Sequence, residues 1–461
     1  MTTRSLRGLL LVLLLIRTVL FLRAAAWAPV DYVGDYANDY FPRAQFLAEH
    51  GRLPRQGEVA NDLYLRPPGT SVLLALPVAA GLDWQGVINV NRVANVLIDA
   101  ALLAVLLWWL SAQGGGTAVT LAVGSGLLLQ PWTAGFVLLP GSDTLNLLAL
   151  TIAVMAAAAV LTRPSTAAAW RRAGLLGLAM AVSLLLRGES IAWLGLLAFW
   201  SGYLLWREGR AGIPALLGAW VPVIAALALG IAYSSYVRGD PNLWRTDHQS
   251  FAENGVNRWL RTWPGDELTK TNIAFYWFRG LHLSMDYVPD VAIRQPDHAE
   301  RIHQALMQSP HEAPMPEAVQ AQFAQLAADN RAREPWIARL WVPLVHLQTM
   351  LMQASAYPEV ARLLDRVAPG LGQIVLALLR AGILVGLLLL VLHWRRLRDR
   401  PGVQLLVLIA AGALLARMGL FAILLNYPEN RYLLPCWPLL LMLSAIGWLT
   451  LAAPRRPLTP V

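Results

Sequence analysis

"LLLVLLLIRTVLFLRAAAWAPVDYVGDYANDY", residues 9–40, begins as an apolar run and ends in three carboxylates (Asp31, Asp35, Asp39) alternating with three tyrosines. An apolar run of this length matches the ~20 residues that cross a bilayer, so the acidic decade stands where a membrane span ends. The rest of the chain repeats the pattern. Its 461 residues are 57% hydrophobic and only 14% charged, with mean hydropathy +0.49. Soluble domains carry about 25% charged residues, so this composition excludes an ordinary globular protein. It predicts an all-α polytopic membrane protein, and nothing in it follows the alternation of an outer-membrane barrel.

Apolar segments fall at about 8–26, 89–110, 117–131, 142–161, 173–186, 188–205, 213–233, 369–392, 403–424 and 432–452. Ten spans place both termini on one side. "MTTRSLR", "TRPSTAAAWRR" (162–172), "REGR" (207–210), "HWRRLRDR" (393–400) and "PRR" (454–456) then share that side, and all five are basic. The positive-inside rule makes it cytoplasmic and accounts for the net charge of +9 without nucleic acid. The N-terminal run, interrupted by Arg17 and Arg23 and followed by nine more apolar segments, reads as a retained first helix rather than a cleaved signal. The single cysteine, Cys436, lies in an apolar run; it excludes an intramolecular disulfide and reads as a small buried hydrophobe.

Three regions follow: an N-terminal transmembrane region, 1–233, with an external first loop at 28–88; a large external loop, 234–368; and C-terminal transmembrane helices, 369–461. Within the first loop, "RPPGTSVLLALPVAAGL" is too short to span and reads as a helix lying on the membrane surface. The large loop contains helical pieces such as "PEAVQAQFAQLAADNRAREPW" and the amphipathic "ARLWVPLVHLQTMLMQ", which suits a bilayer surface. No internal repeat stands out.

Ionisable groups at membrane depth are costly and mark functional sites by default. Four groups fall at the external ends of their helices. Asp31, Asp35 and Asp39 are spaced i, i+4, i+8, which on a helix aligns them on one face and raises one pKa toward use as a base. A solvated juxtamembrane helix fits the same spacing. Asp143 in "LLPGSDTLNLLAL" opens the fourth span, as a site residue or as a cap with Ser142. Arg187 and Glu189 in "LLLRGESIAWL" occupy a tight connection, as a site or as an internal ion pair. Glu429, Arg431 and Tyr432 in "LLNYPENRYLLPCWP" form the last hairpin, as a site or a polar loop. Arginines bind phosphate oxygens in bidentate fashion and a carboxylate can deprotonate an alcohol, so the four groups together suit a site handling a phosphate and a hydroxyl. There is no nucleotide-binding glycine motif. His298 and His303 in "HAERIH" are five apart, which is not the i, i+4 spacing of a helical zinc site.

The order of these features resembles the GT-C superfamily of integral-membrane glycosyltransferases, whose known members include protein mannosyltransferases, lipid A aminoarabinose and galacturonate transferases, and arabinosyltransferases. "GDYANDYFPRAQFLAEHGRLP" is similar to the family's first-loop acidic motif, with Gly34-Asp35, Tyr40, Ala44 and Gly51. Pro67-Pro68, Arg92 and Asn95, Asp143, Arg187 with Glu189, and "NRYLLPCWP" (Arg431 to Pro438) follow in the family's order. The resemblance covers the first 200 residues and the last hairpin; the large loop carries no matching motif. The first motif departs from the family's Asp-Glu with a tyrosine four residues after the Asp. Tyr36 stands where the second acid belongs, and Tyr40 lies five after Asp35. Asp35 and Asp39 therefore both stay open as general base, with Asp35 favoured because it follows Gly34.

The resemblance implies a GT-C-like bundle with juxtamembrane helices in a bacterial inner membrane and an active site on the periplasmic face. It implies inverting transfer of a sugar from a polyprenyl-phosphate donor to an acceptor hydroxyl on an envelope lipid, polysaccharide or protein. Asp35 (or Asp39) is then the base, Arg187 and Arg431 hold the donor phosphate, and Asp143, Glu189, Glu429 and Tyr432 orient the sugar or the arginines. A monophosphate leaving group calls for no obligatory divalent metal and no cofactor. A multi-pass transporter or lipid flippase is the alternative; such proteins usually show repeats and helices broken near the midplane.

Overall fold

The computed structural model describes residues 3–27, 39–55, 57–59, 66–112, 117–129, 137, 141–162, 168–239, 241, 254–265, 269–270, 273, 284–308, 316–352, 369–398, 400–424 and 436–452. Among these residues every regular element is helical. The helices are α1 (Thr3–Trp27), α2 (Phe41–His50), α3 (Gly69–Ala79), α4 (Trp84–Ala112), α5 (Thr117–Leu129), α6 (Asp143–Thr162), α7 (Ala169–Leu186), α8 (Trp193–Glu208) and α9 (Ile213–Arg238). They continue as α10 (Gly255–Leu260), α11 (His298–Met307), α12 (Glu317–Arg333), α13 (Val342–Met352), α14 (Leu371–Leu392), α15 (Pro401–Leu424) and α16 (Trp437–Ala452).

Among the described residues, each of the ten apolar segments contains a helix. Among the described residues, six stretches are long and apolar enough to cross a membrane: Ser5–Arg23, Trp84–Ser111, Asp143–Thr162, Ala169–Leu186, Ser190–Val237 and Pro401–Gly419. The fifth of these is 48 residues long and contains both α8 and α9. Shorter apolar helices are α3, which falls where a helix too short to span was expected in the first loop, and pieces of α5, α14 and α16. At about 1.5 Å per residue, the 13 residues of α5 reach only about 20 Å, short of a ~30 Å hydrocarbon core.

The helices show the one-sided burial of a bundle in an apolar solvent. On α1, Leu6, Leu10 and Leu14 are buried while Leu11, Val12, Leu15 and Val19 face outward. α7 packs along both α6 and α9, α15 along α6, α14 along α16, and α1 along α4. Lipid removes the hydrophobic drive between helices, so close backbone approach carries the packing. Gly177 on α7 shows this, since any Cβ there would run into the backbone of Ala219 on α9.

Described residues between Val256 and Ala327 build a second core, separate from that of the bundle. Trp259, Trp263 and Phe323 meet at ring separations of 5.4 Å, and Val256, Ile302, Ala305, Val319 and Leu326 close around them. Asn254 starts α10 by accepting the backbone N–H of Asn257. Asn330 Nδ2 donates to Thr262 Oγ1 at 2.8 Å, tying α12 to the end of α10. The described part of the large loop is thus helical, with a hydrophobic core of its own between Val256 and Ala327. Its α13 packs against α15.

Candidate functional site

Two buried charge clusters form where the first-loop segment meets the ends of α6, α7 and α9. The first begins at Asp39. Pro42, in the first turn of α2, and the left-handed Gly51 (φ +69°) fix that helix, so Arg43 falls one turn after Asp39. Arg43 Nε lies 2.6 Å from Asp39 Oδ1, and Arg66 Nε lies 2.9 Å from Oδ2. Asp39 is 4% exposed and Arg43 2%. Arg66 also donates to Tyr40 Oη at 3.3 Å and lies over its ring at 5.3 Å. Arg43 Nη1 donates to Tyr233 Oη at 2.7 Å, near the end of α9. A second line of contacts reinforces this docking: Arg52 reaches Tyr236 at 3.1 Å, and Leu53 packs against Tyr233 and Val237. Arg52 also hydrogen-bonds Glu58, which holds that carboxyl down to about 2.

The second cluster joins α6 to the end of α7. α7 stops at Leu186, and a short 3-10 turn (Gly188–Ala192) leads into α8. That places Arg187 Nη1 2.9 Å from Asp143 Oδ1. Asp143 opens α6, and its negative charge suits the helix N-terminus as well. Below the pair is a fully buried polar floor. Ser183 Oγ donates to Asn146 Oδ1 at 2.5 Å and lies within hydrogen-bond distance of Ser190 Oγ, at 2.7 Å. Arg187 thus pairs with Asp143 on another helix; the side chain of Glu189, the acid of the internal-pair reading, lies outside the described residues.

Four consecutive residues couple the clusters. After Arg66, Pro67 packs over Gly188, the neighbour of Arg187. Gly69 then sits so close to α7 that a Cβ would lie 2.5 Å from the Leu185 carbonyl oxygen. The "RPPG" segment is a bridge that must end in glycine. Beside it, α3, the first half of α4 and the head of α6 enclose a cleft of about 230 Å³. Ser142 and Leu186 line it and are the immediate neighbours of Asp143 and Arg187.

Two further buried cations with partners on distant elements were not singled out from the sequence. Arg17 on α1 pairs with Asp99 on α4 at 3.1 Å and donates to the Leu128 carbonyl at 2.7 Å. That carbonyl is one of the last in the short α5, where orphan acceptors and the helix dipole favour a cation. In the subdomain, the lone lysine, Lys270, is fully buried. Its Nζ donates to the carbonyls of Leu260 and Trp263 at 2.6 Å each and to His346 Nε2 on α13 at 2.8 Å. Burial and the Lys270 charge push the His346 imidazole down to about 2, so it is neutral and accepts from the ammonium.

Of the expected site residues, Asp39, Asp143 and Arg187 are in these clusters. Asp31, Asp35, Glu429, Arg431 and Tyr432 lie outside the described residues, as does the side chain of Glu189. Arg92 and Asn95 are buried on α4, and Asn95 donates to Asn91 at 3.3 Å. Among the described residues no group of three or more His, Cys, Asp or Glu is placed to hold a metal. Arg43, Arg66 and Tyr233 are the additions. The Asp39–Arg43 spacing was visible in the sequence, whereas Arg66 and Tyr233 arrive only through packing. Comparison of the chain with known protein families, with characterised proteins and with solved structures finds no match.

Proposed function

We propose that the chain is an inverting glycosyltransferase of ten spans, working on the periplasmic face with a polyprenyl-phosphate sugar as donor. One observation supports the reading above the others. Separate hairpins deliver Asp39 with its two arginines and Asp143 with Arg187 to one end of the bundle, coupled through Arg66-Pro67 and Gly188. Arginine-rich, water-poor surroundings of this kind suit a leaving group that gains charge as it departs.

In this reading Asp35 is the general base. It takes the proton of the acceptor hydroxyl as that oxygen attacks the anomeric carbon, and the bond from the anomeric carbon to the phosphate oxygen breaks. Polyprenyl phosphate leaves with the electron pair. Asp39, with an arginine on each oxygen, is the anchor that fixes the acidic loop. Arg187, oriented by Asp143, binds the phosphate with Arg431; Glu189, Glu429 and Tyr432 orient the sugar. The two docking tyrosines, Tyr233 and Tyr236, connect the acidic loop to the start of the subdomain, which suits a role for 234–368 in acceptor choice.

The test is donor consumption. Membranes containing the full chain, supplied with polyprenyl phosphate carrying a labelled sugar, are expected to move label into a product that no longer carries the isoprenoid. A panel of such donors left unconsumed, with the same donors bound and carried across the bilayer, contradicts the reading and favours the flippase.

A further inference from the structure

The end of the bundle away from the two clusters has a charge pattern that sugar transfer does not use. α6 leaves the clusters at Asp143 and finishes at Thr162, α7 returns from Ala169 to Leu186, and α8 leaves again to finish at Glu208. Gly402, in the first turn of α15, is so near that a Cβ there would lie 2.7 Å from Thr162 Cγ2. Arg396, in the 3-10 turn Trp394–Leu397 just before α15, donates to the Thr450 carbonyl near the end of α16 at 3.0 Å. The connections 162–172, 207–210 and 393–400 therefore meet around this end. Together they carry nine arginines and no lysine, against two acids, Glu208 and Asp399.

The arginines divide into two sets. Arg172 donates to the Ala159 carbonyl at 3.3 Å, Arg207 to that of Leu161 at 2.8 Å, and Arg396 to that of Thr450. These are last-turn carbonyls of α6 and α16, which lack helical partners and favour a cation. Arg207 also pairs with Glu208 at 3.1 Å. By contrast, Arg171, Arg210, Arg395 and Arg398 are exposed, and none of them pairs with a carboxylate among the described residues.

A tryptophan precedes an arginine in every one of the three connections: Trp170-Arg171, Trp206-Arg207 and Trp394-Arg395. The Trp170 and Trp206 rings are exposed, and Arg171 lies over the Trp170 ring at 5.7 Å. Exposed tryptophans at the ends of apolar spans favour the headgroup level of a bilayer, which sets the neighbouring arginines at the depth of lipid phosphates. Orienting the chain needs only the number of positive charges. It does not need them gathered at one place, exposed and level with tryptophan rings.

We propose that this end of the bundle binds anionic glycerophospholipids. The headgroup phosphate accepts from the exposed guanidinium groups of Arg171, Arg210, Arg395 and Arg398, and the tryptophan rings lie against the glycerol and the first acyl carbons. Guanidinium forks match phosphate oxygens, and arginines clustered beside a span attract anionic headgroups. The inference does not depend on the sugar-transfer reading, because it concerns the opposite end of the bundle and binding alone.

The test reconstitutes the full chain in phosphatidylcholine vesicles with a trace of spin-labelled phosphatidylglycerol or phosphatidylcholine of matched acyl chains. The spectrum reads the fraction of each lipid held at the protein. Wild type is expected to prefer phosphatidylglycerol about threefold to tenfold, roughly the effect of one basic residue averaged over the perimeter. The triple variant Arg171→Gln, Arg395→Gln, Arg398→Gln is expected to bring the ratio close to one. Lysine at the same three positions is expected to keep the preference, because the attraction is to positive charge. Arg258→Gln with Arg333→Gln removes exposed charge from the large loop and is expected to leave the ratio unchanged. A wild-type ratio near one overturns the proposal, as does an undiminished preference in the glutamine triple variant or a lost one in the lysine variant. Equal loss in the large-loop variant also overturns it, because selectivity would then follow net charge rather than this end of the bundle. Melting midpoints of the variants near that of wild type show that the comparison is between folded proteins.

Discussion

Arg66 Nε lies 2.9 Å from Asp39 Oδ2, across 27 residues of sequence, in an environment from which solvent is nearly excluded. A carboxylate flanked by two guanidinium groups is an anchor. Removing it leaves Arg43 and Arg66 buried side by side without the charge that separates them. Asp39→Asn is therefore expected to cost about 3–5 kcal/mol of stability, read as a lowered melting midpoint in detergent. Asp35→Asn is expected to melt like wild type. Equal melting of the two variants contradicts the division of roles.

The Asp143–Arg187 pair predicts non-additivity. Asp143→Asn and Arg187→Gln each break a contact of 2.9 Å, and the double variant loses it only once. A double-mutant cycle on melting midpoint or donor affinity is expected to return a coupling of roughly 0.5–3 kcal/mol. A coupling near zero means the contact does not form in the bilayer.

Arg17 and Asp99 test how an ion pair is tolerated inside the bundle. Arg17→Leu alone leaves Asp99, at 2% exposure, without its cation. That single change is expected to cost several kcal/mol, whereas Arg17→Leu with Asp99→Leu is expected to be much milder, because no buried charge remains. Yield of folded protein and thermal unfolding read the difference.

Acid is expected to loosen the subdomain through His346. Its imidazole is held near 2 when folded, against an ordinary value of 6.5, so the unfolded chain binds the proton first. The stability this neutral imidazole contributes is complete above about pH 6.5 and falls as pH drops toward the folded value. The slope from this group approaches about 1.4 kcal/mol per pH unit once pH is well below 6.5. Buried His298, also held low by its burial, acts in the same direction. The measurement is unfolding midpoint from pH 7.5 to 5 for wild type and His346→Gln, the variant being expected to show the shallower dependence.

Much of this architecture could be read from the chain. Apolar runs fixed the helices because their period and length need no knowledge of neighbours, and the helix at 69–79 was legible as an apolar piece too short to span. Asp143 and Arg187 stood out because charges at the ends of apolar runs are conspicuous. Their mutual contact did not, since it depends on how α6 and α7 pack. Arg17–Asp99 was legible in principle: Asp99 is the only acid in 89–110, and Arg17 interrupts the preceding span. Lys270–His346 had no sequence signal, because 76 residues of chain separate two groups that meet only through the subdomain fold.

The decisive measurement is transfer of labelled sugar from a polyprenyl-phosphate donor by membranes containing wild type, Asp35→Asn or Asp39→Asn at matched levels of folded protein. Asp35→Asn is expected to lower the rate by about 10²–10⁴-fold while retaining donor binding, as loss of a general base does. A wild-type rate from Asp35→Asn, or a deficit confined to Asp39→Asn, contradicts the assignment of Asp35 as the base.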